Sequence, residues 1–261
     1  MSSIHTVSPR SVVTRAPVLT SLGLALALGV GPATGQTQPA PSTPATAPAP
    51  AASKYLAAGF TQLPRAAKVL VMPVDVELFS LSAGGVAEPR ADWTATALGH
   101  MNRALSGKVT RSGLDAVLMD EVAADEFAEQ IGLHAAVARS IALHHGIGGT
   151  WALPSKEGRL DWSFDDAMRP LQSRTGARYA VFTWVRDSYA SAERKAAMVA
   201  MAILGVGLAG GSQVGYASLV DLETGRVLWF NRLARASGDL REEKAASESL
   251  DALLFGFPGT R

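Results

Sequence analysis

Cysteine is absent from the 261-residue chain, and its absence excludes several chemistries at once. The protein can form no disulfide, no thiolate nucleophile and no zinc or iron–sulfur site that needs thiolate ligands. A lipid anchor on a cysteine at the leader junction is excluded as well, so the chain is not lipidated there. A strong charge of either sign is also missing. The net charge of +1 creates no overall field for nucleic acid, and no nucleic-acid partner is expected.

Acidic residues are missing from the first 35 positions, which carry Arg10 and Arg15. The apolar run 18–30 spans roughly 13 residues, within the range of a signal-peptide core and short of the ~20 that cross a bilayer. Ala33 and Gly35 place small residues at the −3 and −1 positions of a cleavage site. This pattern predicts a signal peptide over residues 1–35, with an uncleaved anchor as the alternative.

Residues 36–53 consist almost entirely of Pro, Ala, Thr, Gln and Ser, without apolar periodicity. Such a segment cannot offset its ordering entropy by burial, so it predicts a disordered spacer. The remaining residues, 54–261, have a length that one hydrophobic core can support. We therefore expect the order leader, spacer and one α/β domain, and export of the chain to the periplasm or cell envelope.

Short apolar runs rich in β-branched residues predict about five strands, at 68–74, 114–119, 177–185, 214–222 and 226–233. The last two flank Glu223-Thr224-Gly225, whose glycine favours a tight antiparallel hairpin. Apolar spacing predicts helices at 92–107, 121–145, 164–173 and 239–257. Helices between the early strands and a late hairpin indicate a mixed sheet with flanking helices, a C-terminal antiparallel hairpin and a closing helix.

A second apolar run, 196–211, interrupts this domain between the third strand and the hairpin. It is slightly short for a transmembrane helix, and its glycines weaken a spanning helix. Three interpretations are open: a buried helix or hairpin in the core or at a subunit contact, a membrane-inserting element, and a single span. If the run mediates assembly, Leu204 and Leu208 are the side chains that we expect to contribute most.

Charged residues follow the first and third predicted strands. If these strands are parallel, the loops that contain Asp75, Arg90, Arg186 and Asp187 lie at one carboxyl edge of the sheet, where α/β domains tend to bind ligands. Structural salt bridges are the competing interpretation. The acidic run Asp120, Glu121, Asp125, Glu126 and Glu129 indicates the solvated first turns of a helix. No residue pattern predicts a metal or cofactor, and none is expected.

Three segments of the domain resemble one protein family in order and spacing: Lys68–Val74 (KVLVMPV), Gly176–Phe182 (GARYAVF) and Tyr216–Trp229 (YASLVDLETGRVLW). They are similar to the opening strand, a central strand and the hairpin of periplasmic proteins of the curli-secretion channel (CsgG) and LpoB type. The resemblance implies a mixed-sheet α/β domain that works in the cell envelope without catalysis. Such relatives act as secretion pores or as activators of peptidoglycan synthases.

Three functional hypotheses follow, of which a membrane pore is the third. The first is a non-catalytic periplasmic interaction or assembly protein, accessory to secretion or envelope biogenesis. It would bind an envelope protein or a second copy of itself through 196–211, with contact to a membrane as a further alternative. The second is an exported hydrolase that uses the acidic loop residues Asp75 and Asp187.

Overall fold

The computed structural model describes residues 53–259, so the predicted leader and all but the last residue of the predicted spacer lie outside the described residues. The described chain confirms the mixed α/β architecture, with a C-terminal hairpin and a closing helix. Within these residues the sheet has seven strands rather than about five: β1 (Lys68–Val71), β2 (Asp75–Leu81), β3 (Ala87–Pro89), β4 (Asp115–Leu118), β5 (Tyr179–Ala190), β6 (Gln213–Asp221) and β7 (Val227–Arg235).

The additional strands, β2 and β3, lie where the sequence predicted a loop. They form an antiparallel hairpin, and β2 also pairs in parallel with β5. The loop prediction was wrong, because this segment is a strand with one buried face. Val76, Leu78 and Ser80 are buried, and the residues that alternate with them are exposed or half-buried. This alternation is typical of a strand with one covered face.

A bulge at Met72–Val74 joins β1 to β2. Both strands pair in parallel with β5, which confirms that the first and third predicted strands are parallel. Val71 lies opposite Val181, and Asp75 lies opposite Trp184. The chain from β1 to β2 therefore advances four residues where β5 advances three. Pro73 has no N–H to donate at this point. The extra residue reverses the side-chain alternation, as a bulge does.

The α-helices of the described chain are α1 (Ala91–Ser112), α2 (Glu121–Asp125), α3 (Ala128–Ile141), α4 (Arg169–Thr175), α5 (Ala192–Ile203) and α6 (Glu243–Leu253). Two cores result, one on each face of the sheet. Helices α1 and α6 pack together on one side, which we term the α1 face. Residues of α2, α3 and α4 are buried on the other side, which we term the α3 face.

Several helix boundaries differ from the predicted ones. Helix α1 continues beyond Gly107 and ends before Gly113, whose φ of 68° only glycine adopts readily. The closing helix begins after Glu242, because the Asp239 carboxylate instead accepts a hydrogen bond from the Arg241 backbone N–H. A glycine inside a helix costs about 1 kcal/mol relative to alanine, which tertiary context outweighs in α1, so Gly107 does not end the helix.

The two middle helices also differ from prediction. The segment 121–145 is divided at Phe127 into α2 and α3, and it ends in the π-helical turn Ala142–Ile147. Gly132 lies inside α3 and does not interrupt it. The segment 164–173 is a 3₁₀ turn, Asp165–Met168, followed by α4, whose first turn contains a proline as first turns tolerate.

Candidate interaction surface

Helix α5 lies inside the second apolar run and begins at a capping serine. The Ser191 hydroxyl accepts a hydrogen bond from the Arg194 backbone N–H at 3.2 Å, which satisfies one of the unpaired amides of the first turn. Ala and Met dominate the rest of the helix, and both are strong helix formers. The helix ends at Ile203, and Gly205 follows with φ 77°. Local sequence preferences therefore account for its start, its body and its end.

No residue of α5 is buried, although the helix is largely apolar. Val199, Ile203 and Leu204 are 66%, 81% and 74% exposed. The interpretation of this run as a helix within the domain core was therefore wrong, because the described domain places no element over the helix. Of the two predicted assembly residues, Leu204 is among the exposed side chains, and Leu208 is half-buried in the segment beyond the helix.

Both ends of the α5 excursion are tied to the sheet. The Ala190 N–H donates to the Gly210 carbonyl at 2.7 Å, and the Ser188 N–H donates to the Ser212 carbonyl at 3.1 Å. The Arg194 guanidinium donates to the Ala209 carbonyl at 2.9 Å. The apolar helix is consequently held by the domain in a defined place. We term α5 together with residues 204–211 the α5 surface.

The length of α5 bears on the membrane interpretations. Its 12 residues rise about 18 Å, whereas a bilayer core is about 30 Å thick. Across residues 53–259, no helix combines the length and the hydropathy needed to cross a membrane.

The four predicted charged residues divide between the two faces of the sheet. Arg186 Nη1 donates to Asp75 Oδ1 at 2.7 Å on the α3 face. Asp187, the next residue of β5, points to the opposite face, because side chains alternate along a strand. Arg90 belongs to the α1 face too, where it precedes α1 and pairs with Asp92 at 3.1 Å. Asp75 and Asp187 therefore do not converge, and they form no acid pair for hydrolysis.

Asp187 is buried in a polar network that joins β5, β6 and β7 to α6. Its carboxylate accepts hydrogen bonds from the Tyr189 hydroxyl and from Gln213 Nε2, the latter at 2.7 Å. Gln213 Oε1 accepts from Arg235 Nε at 2.8 Å, and Arg235 donates to the Ser249 hydroxyl. Burial raises the pKa of Asp187, and the two hydrogen bonds lower it in part. This network fastens the hairpin to the closing helix.

A cleft that the sequence pattern does not predict lies beside the bulge at Pro73. The cleft has a volume of about 330 Å³ on the α3 face, beside the carboxyl end of β1. Its lining includes Met72, Pro73, Asp75, Glu121, Asp125, Ile131, His134, Trp184 and Tyr216. We term it the β1 cleft. Asp75 was predicted at a ligand-binding edge of the sheet, whereas Glu121 and Asp125 were predicted only as a solvated helix start, because sequence spacing does not show that α2 approaches the sheet.

Aromatic rings form the inner wall of the β1 cleft. Trp184 and Tyr216 stack across β5 and β6 with ring centroids 5.0 Å apart, and the Arg186 guanidinium lies 4.7 Å from the Trp184 ring. His134 Nε2 lies 2.7 Å from the Ser218 hydroxyl oxygen, and its ring stacks on Phe182 at 3.9 Å. Burial lowers the pKa of His134 to about 3, so its imidazole is neutral at physiological pH.

No protein-family model matches the chain, and no curated protein matches its sequence. Among solved structures, the chain is similar to a PelC dodecamer from Paraburkholderia phytofirmans (13% identity, 77% of this chain, 93% of that chain, TM-score 0.35). It is also similar to lipoprotein GNA1162 from Neisseria meningitidis (16%, 66%, 81%, 0.29) and to the LpoB C-terminal domain from Salmonella enterica (13%, 69%, 87%, 0.29). Similarity at this level assigns neither a family nor a function to the chain.

Proposed function

We propose that this protein is a non-catalytic assembly module of the cell envelope, and that it self-associates through the α5 surface. The observation that carries the proposal is the exposure of Val199 and Ile203 on a helix that the domain holds in place, and of Leu204 directly after it. Exposed contiguous apolar surface on a soluble domain is typical of an interaction site. The leader predicted over residues 1–35 supports the envelope as the place where assembly occurs.

A second copy of the chain fits the α5 surface by charge. The first turn of α5 carries Glu193, Arg194 and Lys195, a net charge of +1, whereas the residues from Ala196 to Leu204 carry no charge. In an antiparallel α5–α5 contact, the cationic start of one helix lies beside the negative dipole end of the other. The apolar halves then cover each other across a two-fold axis, which is the commonest symmetry of soluble oligomers. Helix α5 therefore offers a self-complementary surface.

The loss of affinity caused by a charged residue in the α5 contact follows from the free energy of burying an apolar side chain. Burying a side chain such as Ile203 stabilises a contact by about 1.5–3 kcal/mol. An aspartate at that position loses this gain and must also desolvate a carboxylate. The dissociation constant should therefore rise by about 100-fold or more, since 1.4 kcal/mol is a factor of ten. The fold should tolerate the change, because the side chain contributes little to the core.

Sedimentation velocity on the full chain, produced with its leader in a bacterial host, tests the proposal. Ile203→Asp should shift the protein from an oligomer to a monomer without lowering its thermal midpoint. Val122→Asp is the matched control, because Val122 is also 81% exposed and lies on α2. A wild-type chain that stays monomeric over the full concentration range, or equal dissociation of both variants, would contradict self-association through α5.

A further inference from the structure

The β1 cleft has a one-sided charge. Every charged side chain that lines it is a carboxylate: Asp75, Glu121 and Asp125. Asp75 shares the Arg186 guanidinium with Glu77. Glu121 and Asp125 have no ion-pair partner among residues 53–259 and lie exposed at the rim. The imidazole in the wall is neutral. A ligand that complements this lining carries positive charge.

Tyr216 provides an independent observation. Its side chain is 3% exposed and lines the cleft, and within the described chain its hydroxyl has no hydrogen-bond partner. Burial raises the pKa of Tyr216 to about 12; the charge of Asp75 raises it further, and the charges of Arg139 and Arg186 partly oppose this. The Tyr216 hydroxyl is therefore available to a hydrogen bond from a group bound in the cleft. The Thr183 hydroxyl, which also lines the cleft, is buried without a partner among residues 53–259, and such a group is costly unless something bonds to it. The phenol oxygen can accept one N–H while its proton remains in place.

We propose that the β1 cleft binds a primary ammonium group carried on an aliphatic stem. The ammonium donates a hydrogen bond to the Tyr216 oxygen, and Glu121 and Asp125 balance its charge. The stem lies against Met72, Pro73 and Ile131, which give the cleft its apolar wall. Two sources supply this chemistry, a free alkylamine and the lysine side chain of a polypeptide. The proposal concerns the α3 face of the sheet and does not depend on assembly through α5.

Titration calorimetry on the full chain with n-pentylammonium tests the site, with n-pentanol as the neutral ligand of the same shape. The ammonium should bind at least about 10-fold more tightly, because hydrogen bonds and charge act together on it. Tyr216→Phe should weaken its binding about 10-fold while leaving the thermal midpoint unchanged. The pair Glu121→Gln and Asp125→Asn should weaken it at least as much. Glu129→Gln is the matched control, since this acidic residue of α3 does not line the cleft.

A blocked tripeptide with a central lysine distinguishes the sources. If it binds as tightly as n-pentylammonium, the site accepts a lysine side chain; if only the free amine binds, the site serves small amines. Equal binding of n-pentanol, or unchanged affinity in both Tyr216→Phe and the carboxylate pair, would overturn the proposal. The oligomeric state from sedimentation is a separate readout, so failure here and failure of self-association can be told apart.

Discussion

The buried imidazole of His134 should make the stability of this domain depend on pH in a defined window. His134 is 4% exposed, and burial lowers its folded-state pKa to about 3. In the unfolded chain an ordinary histidine has a pKa of about 6.5. As the pH falls below about 6.5, His134 binds a proton in the unfolded chain but stays neutral in the folded chain. The contribution of His134 to stability is therefore complete above pH ~6.5 and is lost as the pH falls toward ~3.

The magnitude follows from the width of that window. Each pH unit inside it costs about 1.4 kcal/mol of unfolding free energy. Of the interval from about pH 7.5 to about pH 5, about 1.5 pH units lie below the unfolded-state pKa of His134, where this cost applies. We therefore expect this single side chain to remove about 2 kcal/mol of stability over that interval.

Urea unfolding at both pH values measures the effect. The double variant His134→Phe with Ser218→Ala removes the titrating ring together with its hydrogen-bond partner, so neither is left unsatisfied. It should lose about 2 kcal/mol less than wild type between the two pH values. Ser218→Ala alone is the control, because it is destabilised yet keeps the imidazole and should keep the wild-type pH response. Equal losses in the double variant and wild type would refute the assignment of a neutral, desolvated histidine.

Two further predictions concern how the α5 excursion and the closing helix are held. Gly211→Ala places a Cβ 1.9 Å from the Ser188 carbonyl oxygen, so thermal unfolding should occur at a clearly lower temperature; Gly207→Ala, with nothing within 4 Å of its Cβ, should have little effect. Asn231→Ala removes two 2.9 Å hydrogen bonds to carbonyls at the end of α6, and urea unfolding should show a loss of about 2 kcal/mol. Wild-type stability in either Gly211→Ala or Asn231→Ala would contradict the geometry described for it.

Most of the sheet was predictable from local pattern. The central strand, the hairpin around Gly225 and its position before a closing helix appear in the structure close to where apolar runs and turn residues place them. These elements could be predicted because their buried side chains form short apolar runs or repeat with a regular spacing along the chain. β2 was missed because its alternation begins out of phase, directly after the bulge at Pro73.

The candidate sites were harder to predict. Adjacent charges such as Arg186 and Asp187 looked like neighbours in one loop, but an extended β5 sends them to opposite faces. The β1 cleft could not be predicted from the sequence, because it is lined by residues of β5, β6 and α2 that are far apart in the chain. The apolar character of α5 was clear, whereas its exposure depends on whether another element covers it.

The sequence by itself determined the identity of most secondary-structure elements and the exclusion of every thiol-based chemistry. These properties depend on side-chain type, on short-range backbone preferences and on the period of apolar residues. Only the tertiary structure decided which side chains share a surface. One extra residue in a strand reverses every side chain beyond it. A helix is buried or exposed according to the segment that packs against it, and that segment can lie anywhere else in the chain.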